Sequence, residues 1–514
     1  MTKNKKRGSV LIYIVIISSM AAVILVGLAG FVVSRYKNGR YANNREQTFQ
    51  IAEAGVYWYR WYLAHTVEGK PPIEKREFWE GGTAKGVGVP YEEEVKDPEG
   101  NPVGKYSIQV TAPDPDSTIV IVESTGWTYK FPSQKRSVRV RFRQPAWCEY
   151  AVVADDDMRF GEGTETFGPI HSNKGVRFDG IAHNIVSSHI PEYDDPDHCE
   201  HYNRYEQCDL NKNEFGVHTH VDPPPETGID DSFRPLEAPP TSPVPDRSDV
   251  FQAGRQFPIP EKNFSDLISD FNLMKQYAES DGKYFGDDTT QEYNCYGSGR
   301  RRVCRWEDVP VYGYHIILKE DHTMDVSMVK SYDTSAYSIT VGEETTPENY
   351  PIPDGQVVFV ENNVWIEGKI NGDRVTIIAA DLSPNPDPKS IYINKDILYT
   401  KKDGTDILGL IAQKDVSIGL YSEDDLEIDA SLLAQKGRVG RDHYSWPTWP
   451  VDYVHRSAIT VYGSLVTKER YGFSWTDDTG YTTRNLYFDN NLVYWPPPYF
   501  PTGDKYQIDL WEEL

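Results

Sequence analysis

The sequence predicts an α+β protein. A long N-terminal helix, transmembrane in its first half and amphipathic in its second, leads to a small antiparallel sheet and then to a large β-rich ectodomain, solenoid-like or a sandwich. Three observations carry this expectation. About 24 residues from Val10 to Val33 contain no charge. Val138, Val140 and Phe142 alternate with Arg139, Arg141 and Arg143, the period of a half-buried strand. Short apolar runs bounded by Gly and Asn then recur roughly every ten to twenty residues, each too short to bury its own face.

The 514 residues exceed one ordinary core, so several domains are expected. Lys and Arg number 53 against 78 Asp and Glu, a formal charge of −25. That acidity argues against a nucleic-acid partner, because phosphate binding needs a basic face. It fits a solvated surface, with calcium binding by Asp-rich loops as the other reading. The 34 Tyr and 12 Trp suit strands and contact surfaces, and the 39 Gly and 35 Pro suit many short strands joined by turns.

The N-terminal helix is expected over 9–65, with 10–33 spanning the membrane. At about 1.5 Å per residue this stretch crosses a hydrocarbon core of about 30 Å. Lys3, Lys5, Lys6 and Arg7 precede it and belong on the cytoplasmic side. The apolar run is too long for the h-region of a cleaved signal peptide. Beyond the membrane, Phe49, Ala52, Val56, Tyr59 and Leu63 fall on one helix face, and Pro71 and Pro72 discourage continuation.

The junction at Gly8 and Ser9, where a short basic leader meets the apolar run without a spacer, resembles the prepilin leader of type IV pilins and type II secretion pseudopilins. The resemblance implies cleavage after Gly8, a leader of 1–8, and an apolar segment that first anchors the subunit and later packs into a filament. "FQIAEAG", Phe49 to Gly55, resembles the segment after the membrane span in PilX-type minor pilins, which makes Phe49, Ala52, Glu53, Val56, Tyr59 and Leu63 the implied assembly helix. Most major pilins carry Glu at the fifth mature position; Tyr13 stands there. PilX-type and GspK-like minor subunits include members without that Glu, so the resemblance favours an initiating or tip subunit. The implied partners are other pilins and minor pilins, the prepilin peptidase and the inner-membrane assembly platform. The implied route runs from the inner membrane to the cell surface. The alternative is a single-span, membrane-anchored binding ectodomain, adhesive or hydrolytic, outside any filament.

After the helix, "KYSIQVTA", "TIVIVESTGW" and "RSVRVRFRQ" read as three strands inside a pilin-like segment, 66–147. A β-rich segment with a Cys loop follows over 148–220. Next comes a stiff Pro-rich connection, 221–262, with ten prolines between Val221 and Pro260, then an amphipathic helix over 263–280 with Asn263 as its cap. The rest, 281–514, is a repeat-like β body containing "NVWIEGKI", "RVTIIAAD", "SIYINKDI" and "LGLIAQKDVSIG". The closing segment resembles that of long PilX-like proteins at Arg484, Tyr487, Asp489, Pro496 to Pro498, Trp511 and Glu512. It reads either as a tail covering a sheet edge or as a binding strip.

Four of five cysteines form two equal intervals, Cys199 with Cys208 and Cys295 with Cys304, expected as disulfides outside the cytoplasm, with Cys148 left over. A zinc site from His198, Cys199, His201, Cys208, His218 and His220 can be drawn, but its spacing matches no familiar module, so no metal or cofactor is expected. No nucleophile elbow, phosphate loop or dinucleotide fingerprint occurs, and the acidic clusters lack calcium-loop spacing. The chain is expected not to be an enzyme.

Overall fold

The computed structural model describes residues 7–70, 72–114, 117–195, 201–202, 208–210, 213–222, 243–264, 271–286, 289–503 and 505–514. The chain divides into two compact units: unit 1 comprises Met1–Asp114, Ile119–Gln144 and Asp504–Leu514, and unit 2 comprises Pro115–Thr118 and Pro145–Gly503.

Unit 1 opens with α1, Arg7–Thr66, a single helix of 60 residues. Its apolar half has neither proline nor charge, and a helix satisfies every backbone donor and acceptor within the segment, as lipid requires. The helix stops where Val67 and Glu68 both donate to the Leu63 carbonyl and Gly69 takes a positive φ of 72°. A short helix, α2 (Pro72–Glu80), follows, with proline in its first turn where no amide partner is lost. Four antiparallel strands come next: β1 (Tyr91–Lys96), β2 (Pro102–Thr111), β3 (Val120–Thr128) and β4 (Lys135–Arg143). Three of them coincide with the expected runs. Val138, Val140 and Phe142 point into the core against α1, as their alternation requires.

The fifth strand of this sheet is the C-terminal one, Gln507–Glu513, antiparallel to β4. The sequence division placed it with the body; in the fold it belongs to unit 1. The arginines between the core positions of β4 explain the pairing. Arg141 and Arg143 lie 2.8 and 3.3 Å from Asp509, and Arg139 lies between Glu123 and Glu512. At the opposite edge, β1 reads "YEEEVK", a charged edge strand that discourages further pairing.

Unit 2 is β-rich and dominated by parallel pairing. One ladder runs in space through Lys283–Phe285, Gln356–Val360, Arg374–Ala379, Ile407–Ala412, Asp425–Ala434, His455–Thr467, Val152–Ala154, Ile170–Ser172, Val186–Ser188 and Arg255–Gln256. Its register stacks Phe359, Ile378, Ile411, Leu433, Val466 and Val153 in one column. A second ladder links Ile428, Val461, Leu486, Thr166 and Ala182. A third joins Val364, Ile391, Val416 and Val439. The first strands of the unit thus pair with its last, so the chain begins mid-stack and later fills in the remainder.

The inner rungs of the first ladder are buried on both faces. Its inward residues join a large core with the other ladders, while the column from Phe359 to Val153 packs in a second core under a helix, α3 (Phe271–Ser280), and the aromatic C-terminal segment. Two-sided burial makes these strands continuous apolar runs rather than alternating ones. Of the expected helix 263–280, Phe271–Ser280 is helical, and 265–270 lie outside the described residues. The Pro-rich stretch is not a connection throughout. Val250 and Phe251 are core residues, and Arg255–Gln256 is a rung of the first ladder. Residues 223–242 lie outside the described set.

Candidate functional site

The expected assembly stripe lies against the unit 1 sheet. Ala52, Val56, Tyr59 and Leu63 are fully buried, Phe49 is half-buried at its upper end, and Glu53 sits half-exposed at its margin. The stripe extends one step further up the helix than apolar periodicity shows. Asn44 and Thr48 are buried too, and Asn44 accepts from Thr128 Oγ1 (2.5 Å) while donating to Gln134 Oε1 (2.6 Å). Polar residues are invisible to a hydrophobic pattern, so this clamp escapes sequence reading.

Helix and sheet approach closely because two positions lack a side chain. A Cβ at Gly126 of β3 would stand 2.4 Å from the Thr48 carbonyl oxygen and 2.5 Å from the Ala52 nitrogen. A Cβ at Gly55 would strike Ser124 Oγ at 2.3 Å and the Tyr106 ring at 3.0 Å. The glycine that ends "FQIAEAG" therefore has a packing reason in this chain.

The upper half of α1 is bare. Its large apolar side chains from Val10 to Val33 are exposed, as is Tyr13. Length and composition fit a membrane crossing. Gly8 and Ser9 are helical in backbone, and their side chains lie outside the described residues. Tyr57 and Trp61 are exposed below the span, Tyr57 lying 6.1 Å from the Trp511 ring.

Cys295 and Cys304 are disulfide-bonded at directly opposed positions of the hairpin Thr289–Tyr296 and Val303–Pro310. Cys148 is a free, buried thiol whose pKa burial pushes well up. Cys199 and the side chain of Cys208 lie outside the described residues, as do His198 and the side chain of His201.

His218 and His220, the remaining members of the drawn zinc set, do come together, with two carboxylates as neighbours rather than thiols. Asp195, Glu214, His218 and His220 each offer a ligand atom, and all four atoms lie within 4.8 Å of one another. Strand geometry makes the cluster. Glu192–Asp194 pairs antiparallel with Asn213–Phe215, and Val217–His218 pairs parallel with Val176–Phe178, setting His218 opposite Arg177. His218 Nε2 is 2.5 Å from Glu214 Oε2 and 3.4 Å from Asp195 Oδ2; His220 Nε2 is 2.7 Å from Glu214 Oε1. Burial alone would drive the His218 proton off, but the two carboxylates outweigh it and raise the pKa. Burial pushes Glu214 up, yet hydrogen bonds from both imidazoles leave it lowered. Sequence reading set Asp195 aside with the acidic cluster Asp194 to Asp197, for want of calcium-loop spacing, and missed Glu214, because a single acid in a chain this acidic carries no signal.

The residues of the C-terminal motif make contacts within their own units. Arg484 donates to the carbonyls of Tyr481, Thr482 and Glu162 and to Thr164 Oγ1, tying the last long strand to the first rungs of unit 2. Tyr487 stacks on Phe167 with ring centres 4.6 Å apart. Asp489 accepts from the Tyr462 hydroxyl and the Asn491 amide. Trp511 and Glu512 lie on the strand that covers the β4 edge.

No protein-family model and no curated protein matches this sequence. Among solved structures, the chain is similar to the crystal structure of the competence-associated pilin ComZ from Thermus thermophilus, at 13% identity and a TM-score of 0.32, over 92% of this chain and 97% of that one.

Proposed function

We propose that this chain is a minor pilin-like subunit, of the PilX-type or GspK-like kind, of a type IV pilus or related secretion filament. One observation carries the reading: a continuous 60-residue helix, apolar and bare in its upper half, is fixed by a buried stripe to an antiparallel sheet, directly behind a basic leader ending at Gly8. A bare apolar rod suits two environments in turn, lipid before assembly and neighbouring helices afterwards. In this reading the prepilin peptidase cuts after Gly8, and the protein moves from the inner membrane through the assembly platform to the surface. Its activity is assembly and surface contact rather than catalysis.

Tyr13 at the fifth mature position supports an initiating or tip role. A carboxylate there would cost about 2.5–3.5 kcal/mol in a bilayer, so it persists where a neighbour uses it. A terminal subunit has no such neighbour on one side. The size of unit 2 points the same way, and its parallel ladders favour a β-solenoid over a sandwich. Mass spectrometry of the mature N-terminus tests the route: a first residue of Ser9, N-methylated, is expected. An intact leader on protein recovered from cells would overturn it. Immunogold label spread evenly along filaments would overturn the tip position.

A further inference from the structure

The geometry points to a zinc-class divalent metal site in unit 2, formed by Asp195, Glu214, His218 and His220. Two imidazoles and two carboxylates are a donor set that borderline transition ions favour over calcium or magnesium, which prefer oxygen alone. Asp195, Glu214 and His218 are buried to within a few per cent, and His220 is the half-buried member at the rim.

The setting of His218 points the same way. Its Nδ1 lies 3.3 Å from the Phe215 carbonyl, which can only accept, and its buried Nε2 faces the carboxylates of Glu214 and Asp195, which also only accept. The ring stands among acceptors on both sides, a setting that requires a cation: a proton on Nε2 or a metal ion in its place. A backbone carbonyl fixing one ring nitrogen so that the other can ligate is the second-shell device of metal-binding histidines. The four donor atoms need only small side-chain movements to reach the spacing of about 3.3 Å that tetrahedral bonds of about 2.0–2.1 Å impose.

An ion here would tie three pieces of backbone together: the end of Glu192–Asp194, the strand Asn213–Phe215, and the Val217–His218 strand with its following turn. It would also cross-link Asp195 to Glu214 along the sequence, which restrains the unfolded chain. The rival occupant of the same space is a proton on each imidazole, giving an ion-paired cluster with no metal. The inference stands apart from the filament reading, since a tethered ectodomain could carry the same site.

Full-length protein purified in detergent, stripped with EDTA and reloaded with Zn²⁺ or Co²⁺, tests it. The expected result is about one Zn²⁺ per chain retained through gel filtration, visible tetrahedral d–d bands with Co²⁺, and a melting temperature that EDTA lowers. His220→Gln, whose amide can still bond Glu214, and Glu214→Gln should each lose the bound metal. The EDTA response of the unaltered chain needs no variant, so a folding defect in one does not decide the matter. Equal metal retention in His220→Gln, or loss only in Cys199→Ser or Cys208→Ser, would overturn the site. So would a melting temperature indifferent to EDTA.

Discussion

Alanine at Gly126 tests whether close helix–sheet contact holds unit 1 together. The new Cβ would stand 2.4 Å from the Thr48 oxygen, 2.5 Å from the Ala52 nitrogen and 3.0 Å from the Ile51 carbonyl carbon. Ordinary contacts begin near about 3.5 Å, so α1 would have to retreat by about 1 Å. The atoms struck are backbone, and no rotamer change relieves them. A gap of that size removes about a quarter to a half of each dispersion contact along the stripe of Ala52, Val56 and Tyr59. Overpacking typically costs about 1–3 kcal/mol, and a backbone clash belongs at the upper end. At about 1.4 kcal/mol per factor of ten, amide hydrogens of residues 48–66 should exchange roughly 30- to 150-fold faster by mass spectrometry. Gly39→Ala is the control. Nothing lies within 4 Å of its added Cβ, and alanine gains about 1 kcal/mol of helix propensity, so exchange there should slow. Unchanged exchange over 48–66 in Gly126→Ala would refute the reasoning.

Arg441 is buried and donates to the carbonyls of Gly419, Leu420 and Tyr453 and to Ser422 Oγ; Arg441→Met should cost about 3–5 kcal/mol in denaturant titrations of unit 2. His315 lies 2.7 Å from Glu344 and 3.1 Å from Glu367. Burial lowers its pKa, but the two carboxylates overcome that and hold it at about 9. Its folded pKa is thus raised, so its contribution, up to about 3 kcal/mol, is complete below about pH 6.5 and lost as pH rises through about 9. Melting temperatures across that window should fall in the native chain and fall less steeply in His315→Gln. Cys304→Ser should weaken the Thr289–Pro310 hairpin by about 2–3 kcal/mol, read as faster proteolysis within it while both cores of unit 2 keep their exchange protection. Deleting residues 506–514 bares the β4 edge and strips Arg141 and Arg143 of Asp509; light scattering should report aggregation that the full chain does not show.

What the sequence reveals depends on how many faces an element buries. β4 buries one, so Val138, Val140 and Phe142 announce it. The rungs Gln356–Val360 and Ile407–Ala412 bury two, so they read as unbroken apolar runs whose partners cannot be told from composition. The exposed strand β1 and the strand Gln507–Glu513 carry mostly charges and side chains left outside the core, and neither shows a pattern. The assembly stripe was legible from Phe49 to Leu63 because its contacts are apolar, whereas Asn44 and Thr48 were not. Asp195 and Glu214 became partners of two histidines only through strand register, a long-range property that no local spacing encodes.

Unit 1 is built from distant parts of the sequence. Arg141 and Asp509, which meet across β4 and its outer neighbour, stand 368 residues apart. Pairing over so long an interval waits on loop closure, so β4 spends part of folding with an open flank that another copy's strand could occupy. Exchange of that outer strand between copies is thereby a hazard built into the sheet.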